Sequence, residues 1–175
     1  MWSWADSSES NLNCAVRILR VPRARAQIDT TALAAAFAAD GLHGTPIEAV
    51  VDACGVAKPT LYARGGDKEE LFAVAVEAEV ERLLSRLSGS PARALDEHLA
   101  QSPEGMRLLL VTARHTRSRV AERVEESLRR VSSALGDELL GAAYAALHGG
   151  PPVSEFARRL PVPEESGPPG GIWTA

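Results

Sequence analysis

The chain has 175 residues, 45% of them hydrophobic and 24% charged, and a formal net charge of −4. These are values of a globular protein of one or two small units, and aromatics at 5% leave the core to Ala, Leu and Val, which favours helix over strand. No apolar run approaches the roughly 18 residues that span a bilayer, and Cys14 and Cys54 make no disulfide framework; the expectation is a cytoplasmic protein without membrane contact.

Charge is unevenly spread. Residues 1–27 carry +2, residues 28–72 carry −4 and the remainder −2. A DNA binder built this way must rely on a few placed cations rather than on bulk charge.

Residues 1–25 read as a flexible basic arm, Ser-rich and then Arg-bearing, with Pro22 breaking any long helix. A first helix is predicted from Gln27 to Asp40, where Ile28, Leu33, Ala36 and Phe37 recur at helical spacing and Gly41 supplies a left-handed stop. Thr45-Pro46-Ile47-Glu48 reads as a full helix start: Thr45 as cap, Pro46 in the first position and Glu48 closing a capping box. That second helix should end at Cys54, because Gly55 can take the positive φ of a tight turn. A third runs from Lys58 to Arg64, with Pro59 in its first turn.

Gly65-Gly66 breaks the chain before Asp67-Lys68-Glu69-Glu70 opens a fourth helix with a second capping box. Its stripe of Phe72, Val76, Val80, Leu83 and Leu87 extends to Ser88. Ser90-Pro91 and Ser102-Pro103 mark two more starts. A last long helix spans Ser118 to Leu147, with Val120, Val124, Leu128, Val131, Leu135 and Leu139 on one side. Ser154 to Leu160 reads as a weak helical turn inside a Pro/Gly-rich tail over 149–175, expected to be disordered. The fold class is all-α: a three-helix helix-turn-helix domain over 26–72, then a small helical ligand-binding and dimerisation domain over 73–148.

Two short helices joined by Cys54-Gly55-Val56-Ala57 have the proportions of a helix-turn-helix, in which the second helix enters the major groove. Ile47, Val50, Val51, Val56 and Leu61 can form its small core, closed by Phe37. Gly55-Val56-Ala57-Lys58-Pro59-Thr60-Leu61-Tyr62, followed by Asp67-Lys68-Glu69-Glu70-Leu71-Phe72, resembles the TetR family of bacterial regulators; Phe37-Ala38-Ala39-Asp40-Gly41 upstream is similar to the same family's first helix end. The resemblance covers about residues 28–76. It implies a regulator, commonly a repressor released by a small-molecule effector, that reads a double-stranded DNA operator as a homodimer.

Carried over by that resemblance, Thr45 and Lys68 fall where phosphates are touched, and Lys58, Pro59, Thr60, Tyr62 and Arg64 occupy the recognition-helix face. Lys58 and Arg64 suit phosphate or guanine chemically, and Tyr62 a phosphate. One departure concerns packing: where the family has His-Phe, this chain has Arg64-Gly65. Restoring an aromatic with Gly65→Phe is therefore expected to raise the melting temperature. The family's terminal two-helix hairpin is not recognisable after Leu147. An effector pocket would be lined by Met106, Leu109, Leu110 and Ala113, with His115 or Tyr144 nearby.

Other classes find less support. His43, His98, His115 and His148 stand in no metal-ligand or catalytic spacing, no Gly-rich loop follows a strand, and no cofactor, metal or enzymatic activity is expected. The alternative is a degenerate relative that has lost DNA binding and acts through protein contacts. Gly65, the acidic domain and the short carboxy end speak for it.

Overall fold

The computed structural model describes residues 28–160; the arm over 1–25 and the residues from Pro161 onward lie outside the described residues. Helices make up the described chain, and no strand occurs in it. In order they are α1 (Thr30–Ala38), α2 (Gly41–Gly44), α3 (Ile47–Cys54), α4 (Lys58–Gly65), α5 (Lys68–Leu84), α6 (Pro91–Gln101), α7 (Pro103–Arg107), α8 (Ala121–Leu147) and α9 (Val153–Ala157). Between α7 and α8 the chain winds through a wide π turn, Leu108–Thr112, and a 3₁₀ turn, Ala113–His115.

α1 begins at Thr30 rather than Gln27, because Asp29 supplies the cap: its Oδ1 accepts from Thr31 N at 2.9 Å and Ala32 N at 3.1 Å. The stop at Gly41 does not end helical structure. With φ at 67°, Gly41 instead reverses into the single turn of α2. Glycine is required there twice over, since a Cβ would also stand 2.7 Å from Thr112 Cγ2.

α5 packs most extensively against α1 and α8. Its apolar stripe, Leu71, Phe72, Val76, Val80 and Leu83, is fully buried, and the Phe72 ring meets Phe37 of α1 edge to face at 5.2 Å. Burying one such side chain stabilises by roughly 1.5–3 kcal/mol. α5 runs unbroken through residue 72, so the helix-turn-helix and the following helices share one cluster of buried residues. It ends at Leu84, short of Ser88.

Two expectations for the carboxy-terminal half need correction. α8 is not one straight helix: Gly136 sits at φ 73° and ψ 161° inside it, and the buried stripe changes phase from Leu135 to Leu140 across the break. Residues 149–160 are not a disordered tail. Val153 is fully buried, and the Asp96 carboxylate of α6 accepts from Val153 N at 2.6 Å and Ser154 N at 3.0 Å, capping α9 from another helix.

Candidate nucleic-acid interface

α3 and α4 form a helix-turn-helix whose geometry follows from four residues. Gly55 ends α3 at φ 62°, a left-handed conformation with open space around it. The Ala57 carbonyl accepts from Thr60 N at 2.8 Å and Leu61 N at 3.0 Å, starting α4 at once. Val50 of α3 and Leu61 of α4 are fully buried and hold the two helices against α1 and α5. Ile47, Val51, Cys54 and Val56 pack around them, partly buried.

Leu61 is the inward residue of α4; Lys58 and Arg64 flank it, three residues to either side, and Pro59 lies opposite. Lys58, Pro59, Tyr62 and Arg64 are exposed, Tyr62 to 38%, and Thr60 is half-buried. Lys68 sits half-buried at the start of α5. Six of the seven expected contact residues are exposed or half-buried. Thr45 is neither. It is only 2% exposed, its N–H donates to Gly41 O at 3.2 Å, and its hydroxyl donates to Ala36 O at 3.3 Å. The unforeseen turn of α2 pulls it inside, where it neither caps α3 nor offers a hydroxyl to a phosphate.

Glu48 also departs from its expected role. No side chain caps α3, and the Glu48 carboxylate instead accepts from Lys58 Nζ at 2.9 Å across the turn. The bond to Lys58 lowers the Glu48 pKa, and the same bond raises that of Lys58, so both stay ionised around neutral pH. The second capping box is half realised. Asp67 Oδ1 accepts from Glu69 N at 3.0 Å and Glu70 N at 3.1 Å, but the Glu70 side chain turns away.

Glu70 turns toward α8, and this changes the electrostatics. Arg123 Nη1 donates to Glu70 at 2.6 Å and Nη2 to Glu77 at 2.9 Å, while Arg119 pairs with Asp67 and places Nε 3.1 Å from Glu69. The acidic start of α5, counted from sequence as repelling DNA, thus faces two arginines from more than 50 residues away in the chain. Sequence spacing carries no signal for such pairs.

Gly65 is the clearest correction. It lies one turn beyond Leu61 on the inward side, and a Cβ there would overlap Leu71 and stand 2.8 Å from Ile28 Cδ1. The space beside Gly65 is occupied by Leu71 and Ile28. Gly65→Phe should therefore lower stability, not raise it.

Of the residues expected to line an effector pocket, three are packed. Met106, Leu109 and Ala113 are at most 2% exposed and belong to the core; Leu110 only borders a cavity of about 300 Å³ with Arg114, Asp137, Leu140, Gly141 and Tyr144. Beneath α5 lies a buried polar cluster that sequence reading missed. Fully buried Glu79 accepts from Arg82 Nε at 3.0 Å and from His98 Nε2 at 2.7 Å, and Arg86 Nη1 lies 3.1 Å from His98 Nδ1. Arginine can only donate, so Nδ1 accepts and Nε2 carries the proton. Burial pushes the Glu79 carboxyl up, but hydrogen bonds from His98, Arg82 and Ser102 outweigh it and hold it at about 2. Among the described residues no group of His, Cys, Asp and Glu could hold a metal, and no helix is long and apolar enough to cross a membrane.

Residues 30–75 match the family model described as bacterial regulatory proteins, tetR family. No curated protein and no solved structure matches the chain. The matched segment runs from α1 into the first half of α5 and contains the whole helix-turn-helix. Over these residues the chain carries an amino-terminal helix-turn-helix domain of the tetR type.

Proposed function

We propose that the chain is a transcriptional regulator that reads operator DNA with α4. The observation that carries this is the exposure of Lys58, Pro59, Tyr62 and Arg64 on α4, around buried Leu61, within a segment that matches a family of bacterial regulators. α4 lies in the major groove, Lys58 and Arg64 meet phosphate or guanine, Tyr62 and Lys68 meet phosphates, and Pro59 and Thr60 border the base edges. Two copies bind a symmetric operator in the cytoplasm of a bacterium, and a small molecule releases them, so that the regulator is a repressor.

The test is a mobility shift of the full chain on DNA from its own upstream region. Binding should weaken steeply with salt and drop in Lys58→Ala and Tyr62→Ala. Absence of any shift at low salt would overturn the reading and leave the degenerate relative acting through protein contacts. Solution mass tests the dimer: a monomer at micromolar concentration would exclude the two-headed operator complex.

A further inference from the structure

The reading head has a feature that the function does not require. Lys58, the first cation of α4, faces outward with its side chain 46% accessible, yet it is already paired with Glu48, 69% accessible, from the first turn of α3. The Glu48 carboxylate also accepts from its own backbone N–H in the first turn of α3, but its side-chain partner is Lys58. Its partner in the folded chain is the cation best placed for DNA.

We infer that Glu48 is a built-in competitor of DNA for Lys58 and thereby sets the affinity of the reading head. This rests on the operator-reading function proposed above. In the free protein the ammonium is neutralised across the turn. To reach a phosphate it exchanges one oxyanion for another, and Glu48 is left as a bare negative charge beside the duplex.

The exchange has a consequence in ion counting. Each phosphate neutralised by a lysine releases about 0.9 of a condensed counterion, which steepens the dependence of binding on salt. At Lys58 that release is offset, because the freed Glu48 takes up a cation. The contact therefore adds little to the salt slope while Glu48 is present. Removing the carboxylate restores its full share. A mere staple between α3 and α4 would behave in the opposite way, since its loss would loosen the head and weaken binding.

The test uses full-length wild type, Glu48→Gln, Lys58→Gln and the double variant, titrated against a fluorescent duplex of the chain's own upstream region and a scrambled duplex, from low to moderate salt. Glu48→Gln should bind both duplexes about two- to five-fold tighter at low salt, the size of effect that exposed ion pairs support. Its salt slope should steepen by about 0.9. In the Lys58→Gln background the same change should leave the slope unaltered. Glu48→Ala gives the same readings should the glutamine variant fold poorly. Wild type that binds while Glu48→Gln binds equally or more weakly overturns this inference alone. So does a steepened slope that persists without Lys58. No binding by any of the four on either duplex at low salt overturns the function and the inference together.

Discussion

Where α5 meets α1 and α4, the contact is apolar: Phe72 against Phe37 at 5.2 Å, and Leu71 filling the space in front of Gly65. Where the same helix meets α6 and α8, charged contacts join the apolar ones. Glu79 is buried with His98 and Arg82, while Glu70, Glu77 and Glu81 reach Arg123 and Arg130 at 2.6–2.9 Å. Apolar contact is indifferent to salt and pH. Charged contact is not. The helix-turn-helix is thus seated mainly by apolar side chains, while the far side of α5 adds ion pairs that solution conditions tune.

The contrast can be broken or sharpened from both sides. Phe72→Ala should cost about 3–5 kcal/mol in urea unfolding, at low and high salt alike; a cost that shrinks with salt would contradict an apolar seat. Glu79→Ala should cost about 3 kcal/mol near neutral pH, because His98 and Arg82 lose the charge they surround. Here pH adds a sign. The folded carboxyl titrates at about 2 and the unfolded one near 4.5, so the unfolded chain takes up the proton first as pH falls. The stability that Glu79 contributes is present above pH 4.5 and should fade between 4.5 and 2, where the two proteins' melting temperatures converge.

Gly65→Phe should cost about 1–3 kcal/mol, read as a lower melting temperature, because Leu71 and Ile28 must both move. A higher melting temperature would show that α4 sits elsewhere on the core. Arg123→Ala should have the smallest effect, about 0.2–1 kcal/mol at low salt and nothing measurable at 1 M.

Local signals were legible in the sequence where one stretch of chain decides its own shape. Gly55 ends α3 and Pro59 opens α4 within a residue of expectation, and Ser90-Pro91 and Ser102-Pro103 do begin helices. The exposure of Lys58, Pro59, Tyr62 and Arg64 was legible for the same reason: a helix this short has one inward residue, Leu61. What stayed hidden depends on partners far along the chain. Thr45 looked like a cap until α2 carried it under Ala36, and Gly65 looked like a hole until Leu71 and Ile28 filled it. The break at Gly136 was masked because Leu135 and Leu139 keep a helical spacing on either side of it. Arg119 and Arg123 pair with Glu69 and Glu70 across the fold, and nothing in their spacing points to those partners.

The cap that Asp96 places on α9 bears on the order of folding. Its two donors lie 57 and 58 residues further along the chain. Closing a loop of that length gains nothing until the turns and helices between are already in place, because the entropy of closure must be overcome first. During synthesis from the amino end, α6 emerges with its carboxylate unclaimed while α8 is still being made. The docking of Val153 is then a late event, and by the same reasoning an early one to come undone. A protease pulse during refolding should find the chain after Gly149 cleavable for longest, well after the reading head has become resistant.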